Sequence, residues 1–149
     1  MTKFADEKLT NLIIMPENCR FIELESQLKA RKMRAYDREI ISAVDSAVAT
    51  LMTTNQISVD QVATALCVSP SKLRRQIQNA TGITPAVYIM FIRLREAVRL
   101  LNDYPQNSIS AIAAECGFTD HAHFTHAFIR YFGRSPLQYA QEQMAALQL

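Results

Sequence analysis

Apolar positions along this chain fall into a succession of helical patterns separated by proline, glycine and small polar residues. From Tyr36 to about Thr53, Ile40, Ile41, Val44, Val48 and Leu51 recur at three- and four-residue spacing, which predicts an amphipathic helix. Ser58 with Gln61 three positions later is a capping-box pattern ahead of Val59, Val62, Ala63 and Leu66, and predicts a short second helix. Ser69-Pro70 sets an N-cap residue before a proline at the first helical position, opening a third helix through about Ala80 that Gly82 can end. Thr84-Pro85 repeats that start signal for a helix to about Leu101. Val87, Met90, Phe91, Leu94, Val98 and Leu101 cover much of its circumference, so it should be central and buried. The segment 1–35 shows no clean period: Leu12 to Met15 is a short apolar run closed by Pro16, and Lys29 to Arg34 is basic, so it reads as an arm or linker.

The second half replays the first. Val62-Ala63 is matched by Ile112-Ala113 and Val68 by Phe118; then Leu73, Ile77, Gly82, Pro85 and Tyr88 are matched by Phe124, Phe128, Gly133, Pro136 and Tyr139. An ordered series of this kind marks an internal repeat. Each copy is a short capped helix (from Ser58, from Ser108), a tight turn, and a longer helix (from Ser69, from Thr119) closed by glycine, which is the helix-turn-helix pattern twice. The expected fold is therefore all-α: two helix-turn-helix subdomains (about 57–82 and 108–133) joined by the central helix 85–101. With a C-terminal helix over about 136–147, this makes about seven helices and a DNA-binding domain over 36–149. The longer helix of each unit needs one apolar stripe and one polar face able to enter a major groove about 12 Å wide. In the first unit Leu73 and Ile77 point one way, while Ser71, Arg74, Arg75 and Gln78 point the other. In the second, Phe124, Ala127, Phe128 and Tyr131 form the stripe, leaving Ala122, His123, Thr125, His126 and Arg130 outward.

Charge sharpens this picture. Net charge over the 149 residues is only +2, but residues 69–99 carry six basic side chains (Lys72, Arg74, Arg75, Arg93, Arg95, Arg99) against Glu96 alone. A solvated helix face is the plain alternative for such a cluster. With 49% hydrophobic and 20% charged residues the chain has material for a core, and no apolar run reaches the ~18 residues of a membrane span, so a cytoplasmic location without membrane association is expected. Cys19, Cys67 and Cys116 are widely spaced without a CxxC pair, so neither a disulfide framework nor a structural zinc site is suggested; Cys67 and Cys116, each beside a turn, are expected as packed small hydrophobes. His121, His123 and His126 share one helix, but no nearby cysteine completes a four-ligand set, so no metal and no cofactor are expected. No Gly-rich phosphate loop, nucleophile elbow, paired carboxylates or Cys/His/Glu zinc signature of a base-modifying enzyme is present, and an enzyme is not expected.

The stretch from Ile109 to Tyr139 resembles the signature of the AraC/XylS transcription regulators. It carries the Ile112-Ala113 pair, Gly117-Phe118-Thr119-Asp120, the spaced Phe124 and Phe128, and Phe132-Gly133-Arg134-Ser135-Pro136 with Tyr139; Arg93-Leu94 with Ala97 is also similar, and the likeness covers about 57–139. The resemblance implies two recognition helices (about 70–80 and 120–132) held at successive major grooves by a strut of roughly 25 Å, at 1.5 Å rise per residue. It implies base-reading candidates Ser71, Lys72, Arg74 and Arg75 in the first unit and Ala122, His123 and His126 in the second, where Thr125 becomes a phosphate contact; Gln78, His121 and Arg130 complete the expected DNA-binding set. His126 stands where the family usually carries Arg and Ala122 where a longer polar residue is common, so the second unit is expected to read DNA more weakly. Double-stranded DNA and RNA polymerase are the implied partners of an activator. A sensory or receiver domain upstream is also implied, as in a two-component output domain. The other reading of the residues is a helical protein-interaction module with weak or no specific DNA binding.

Overall fold

The structure, a computed structural model, describes residues 19–54 and 57–147. Eight helices are present among them: α1 (Arg20–Ala30), α2 (Ala35–Met52), α3 (Val59–Ala65), α4 (Pro70–Thr81), α5 (Pro85–Asp103), α6 (Ile109–Glu115), α7 (His121–Phe132) and α8 (Pro136–Leu147). The described residues contain no strand.

The sequence signals act as local physics requires. Ser58, Ser69, Thr84 and Ser108 each accept a hydrogen bond from the backbone N–H three residues on (Gln61, Lys72, Val87 and Ala111), satisfying donors the first turn leaves open. At α7 the cap is Asp120 rather than Thr119: its Oδ1 accepts from the Ala122 N–H at 2.9 Å. Gly82 and Gly133 end the two longer helices in the left-handed conformation.

The elements assemble as a three-helix cluster and a four-helix cluster on one strut. In the first, α4 packs on α2, α3 and α5; in the second, α7 packs on α1, α6 and α8. The strut α5 buries Tyr88, Phe91, Leu94, Ala97, Val98 and Leu101. The second cluster has an aromatic core in which Phe128 lies 4.4 Å from Phe132 and Tyr139 meets Phe128 edge-on at 5.7 Å. Buried rings of this size supply most of the apolar area that holds a small cluster together.

Three expectations are corrected. An irregular arm through residue 35 does not hold for residues 20–30, which form α1: Phe21, Leu24 and Leu28 make a buried stripe at i, i+3 and i+7, and Phe21 stacks on Phe91 at 4.9 Å and Phe132 at 4.8 Å. This helix raises the number from about seven to eight; the apolar run Leu12 to Met15 lies outside the described residues. Cys67 is exposed, not packed, and the buried thiols are Cys19 and Cys116. The reason is the turn. Cys67 occupies the place that Gly117 takes in the second unit, and both are left-handed, φ +58° and +82°. At Gly117 a Cβ would lie 2.5 Å from Ile57 Cδ1, so a side chain there would have to displace Ile57 as well as bear the left-handed backbone.

Candidate nucleic-acid interface

The long helices of the two units present their polar faces outward. In α4, Leu73, Ile77 and Ala80 are buried, and Ser71, Lys72, Arg74, Arg75 and Gln78 are all exposed. The half-buried Gln76 donates from Nε2 to the Tyr36 hydroxyl at 3.1 Å. Among the described residues Lys72 and Arg75 make no ion pair, whereas Arg74 Nη2 lies 3.7 Å from Asp60 Oδ1, with both side chains mostly exposed. Such a pair in water is weak, at most about 1 kcal/mol, so Arg74 is free to exchange partners.

The basic cluster of residues 69–99 splits in three dimensions. Lys72, Arg74 and Arg75 stay on the outer face of α4, but Arg93 is buried. Its Nε donates to the Cys116 carbonyl at 3.0 Å and its Cζ lies 3.7 Å from the centre of the Phe118 ring. Burial pulls its pKa below the usual guanidinium value. Arg99 is held by Glu96 at 2.6 Å and Asp103 at 3.3 Å, and Arg95 lies 5.6 Å over Phe91. These three belong to the scaffold. Burial pushes the Cys116 thiol up to about 12.

In α7, His121, Ala122, His123, His126 and Arg130 are exposed opposite the buried Phe124, Ala127 and Phe128. His123 sets its ring edge-on to Phe118 at 5.3 Å. His123, His126 and Arg130 also line a shallow groove whose other wall is Ala86, Val87 and Met90 of α5. Thr125 differs from its expected role: it is half-buried, and its enclosed Oγ1 makes no hydrogen bond among the described residues, so a phosphate would reach it only after a local adjustment. Among the described residues no group of three or more His, Cys, Asp or Glu could hold a metal ion, and no helix is long and apolar enough to cross a membrane.

Basic residues upstream have structural partners that sequence reasoning missed. Arg34 pairs with Asp37, and Arg31 donates to the carbonyls of Asn79 and Ala80 at the end of α4. Asp60, which meets Arg74, carries no sequence signal beyond its place in the first turn of α3.

Two capped helix-turn-helix units with outward polar helices on a shared strut define a tandem helix-turn-helix protein. A sequence profile for a helix-turn-helix domain matches residues 62–142, over half of the chain. The chain belongs to the AraC-type helix-turn-helix family, a family of DNA-binding transcription regulators and not of enzymes. It is 38% identical over 92 residues to the HTH-type transcriptional activator RhaS of Escherichia fergusonii, an alignment covering 62% of this chain and 33% of that protein. The chain thus spans about a third of the length of the curated relatives it matches. Among solved structures it resembles the C-terminal domain of AraT, a response regulator from Geobacillus stearothermophilus (TM-score 0.63, 26% identity, 75% of this chain and 88% of that one). It also resembles the DNA-binding domain of AdpA, a global transcriptional factor solved in complex with a target DNA (TM-score 0.64, 26% identity, 72% and 94%).

Proposed function

We propose that this chain is a sequence-specific double-stranded DNA-binding transcription regulator that sets α4 and α7 into successive major grooves. The observation that carries the reading is the outer face of α4. There Lys72 and Arg75 stand exposed without an ion pair among the described residues, and Arg74 has only an exposed partner, all opposite the buried Leu73 and Ile77. The guanidinium fork matches guanine O6 and N7, so Arg74 and Arg75 are the direct readers, with Ser71, Lys72 and Gln78 at their flanks. In α7, His121, His123 and His126 read more weakly and Arg130 contacts the backbone, while Thr125 reaches a phosphate only after its enclosed hydroxyl is uncovered. The RhaS and AdpA likenesses support this reading, and the RhaS name supports activation, which makes RNA polymerase the second partner. The protein works in the cytoplasm. Because the chain matches only a third of its relatives, a sensory or receiver domain attached upstream supplies the signal, as the AraT likeness supports.

The test is selection of bound duplexes from a random pool followed by mobility shift. The expected motif has two half-sites about 10 bp apart. A pool that enriches nothing would leave the protein-interaction reading in place.

A further inference from the structure

We propose that Cys19–Arg31 is a brace that sets the placement of the two recognition helices relative to each other, fastened to α7 by Phe21 and to α4 by Arg31. This rests on the reading of α4 and α7 as DNA-reading helices. At its start the segment grips the second unit. The Cys19 thiol donates to the Tyr131 carbonyl at 3.3 Å, Arg20 lies 5.5 Å over the Tyr131 ring, and Phe21 is sandwiched against Phe132 and the strut residue Phe91. At its end it grips the first unit. Arg31 Nε donates to the Ala80 carbonyl and Nη2 to the Asn79 carbonyl, both at 2.9 Å.

Those carbonyls are among the four that the end of α4 cannot satisfy within the helix, and a cation belongs at that negative end of the helix dipole. Two forked donors to two consecutive carbonyls also fix direction, which a single ammonium cannot do. Gly82 makes room for the fork, since a Cβ there would lie 2.7 Å from Arg31 Nη1. The eleven residues of α1 span about 16 Å at 1.5 Å per residue, so the helix carries the link as a rigid rod.

The geometry makes the brace more than a local cap. The main contacts of α4 are with α2, α3 and α5, and those of α7 are with α1, α6 and α8. The strut α5 is one path between the units, the turn at Gly117 lies close against Met52 and Ile57 of the first unit, and α1 with Arg31 is a further path joining the ends of the two long helices. Each added link between two bodies removes pivoting that fewer links permit. The spacing of half-sites that the protein accepts is then set in part by Arg31, a positioning residue that touches no base.

Arg31→Ala tests it in the full chain, because Arg31 is exposed and its loss removes no core. Nitroxides are placed on Cys67, the exposed thiol just before α4, and on a cysteine introduced by His121→Cys at the start of α7. The distance distribution between them should be narrow in the parent and broader with Arg31→Ala, with Arg31→Lys in between. On a duplex with both half-sites, Arg31→Ala should bind roughly 3- to 10-fold more weakly, and it should tolerate one inserted base pair between half-sites better than the parent does. On a duplex keeping only the α4 half-site the two proteins should bind alike. An unchanged distance distribution, or an equal loss on the single half-site, overturns the brace and leaves Arg31 a local cap. If the parent binds no duplex, the DNA reading fails, and the distance distribution alone still decides the brace.

Discussion

The guanidinium carbon of Arg93 lies over the Phe118 ring, 3.7 Å from its centre, while its Nε donates to the Cys116 carbonyl at 3.0 Å. One buried side chain of the strut therefore holds the turn of the second unit through a ring face and a helix-end carbonyl together. A desolvated cation–π contact contributes about 2 kcal/mol and a charge-assisted hydrogen bond about as much. Arg93→Ala should lower unfolding stability by about 2 to 4 kcal/mol, read as a shift in the urea midpoint. Arg93→Lys should recover little, since an ammonium cannot stack and donate from one plane. A lysine variant as stable as the parent would show that charge alone matters there.

Stability should fall in alkali, and the sign follows from the buried acids. Burial raises the Cys116 thiol from 9.0 to about 12. Burial and the Asp45 carboxylate, which accepts from the Tyr88 hydroxyl at 2.6 Å, raise Tyr88 well above its usual value. A group whose folded pKa is raised keeps its full contribution below the unfolded pKa and loses it as pH climbs toward the folded one. Above about pH 9 the unfolded chain binds fewer protons than the native one, so the unfolding free energy drops by up to about 1.4 kcal/mol per pH unit per group. Urea titrations from about pH 8 to 11 measure the slope. Cys116→Ala should make it shallower just above pH 9, and an unaltered slope would assign the loss elsewhere.

Cys67 carries a different cost. A non-glycine residue at φ +58° sets its Cβ against the following carbonyl. Cys67→Gly should stabilise the protein by about 0.5 to 1 kcal/mol, the relief of strain less the added freedom of the unfolded chain. In the native parent, a thiol reagent should modify one cysteine at speed and the other two only in denaturant, because Cys19 and Cys116 are buried. A destabilised glycine variant would mean that the thiol makes contacts worth more than the strain.

The two halves of this architecture were legible because they rest on local rules. Capping serines, prolines at the first helical position and closing glycines act within four residues of themselves, and the offset between Leu73 and Phe124 exposes the duplication. Helix α1 had a readable stripe, Phe21, Leu24 and Leu28, but Glu23, Glu25 and Lys29 interrupt it and Cys19 offers no side-chain cap. Arg31 and Arg93 were illegible in principle. A guanidinium that ends on a carbonyl 49 residues away, or on one 23 residues away, looks in sequence like any other basic residue. That is why the cluster of six positive charges separates into three outward residues and three scaffold residues only once the chain is folded.

On the outward face, Arg75 and Arg74 should behave differently. Arg75→Ala should cost about 1 to 3 kcal/mol and relax preference at one base pair of the selected site. Arg74 must first leave Asp60, 3.7 Å away. Asp60→Asn should therefore raise affinity by about 1 kcal/mol or less, an effect that shrinks as salt rises. Binding titrations of the two variants at several salt concentrations separate these outcomes. An Arg75 loss equal on all sequences, with a shallower salt slope, would make that residue a phosphate contact.

The two units should contribute unequally to recognition. The first offers the cationic Lys72, Arg74 and Arg75, while the second offers His121, His123 and His126 beside the short Ala122 and the half-buried Thr125. Arginine brings a planar forked donor that matches guanine O6 and N7, which an imidazole does not. His126→Arg puts that fork at the same exposed place, so it should tighten binding and sharpen preference in the weaker half-site. A scan of every base pair of the selected operator, made with the parent and with His126→Arg, measures both effects. Equal information in both half-sites of the parent, with an affinity indifferent to His126→Arg, would assign the second unit a full share of recognition and remove His126 from the interface.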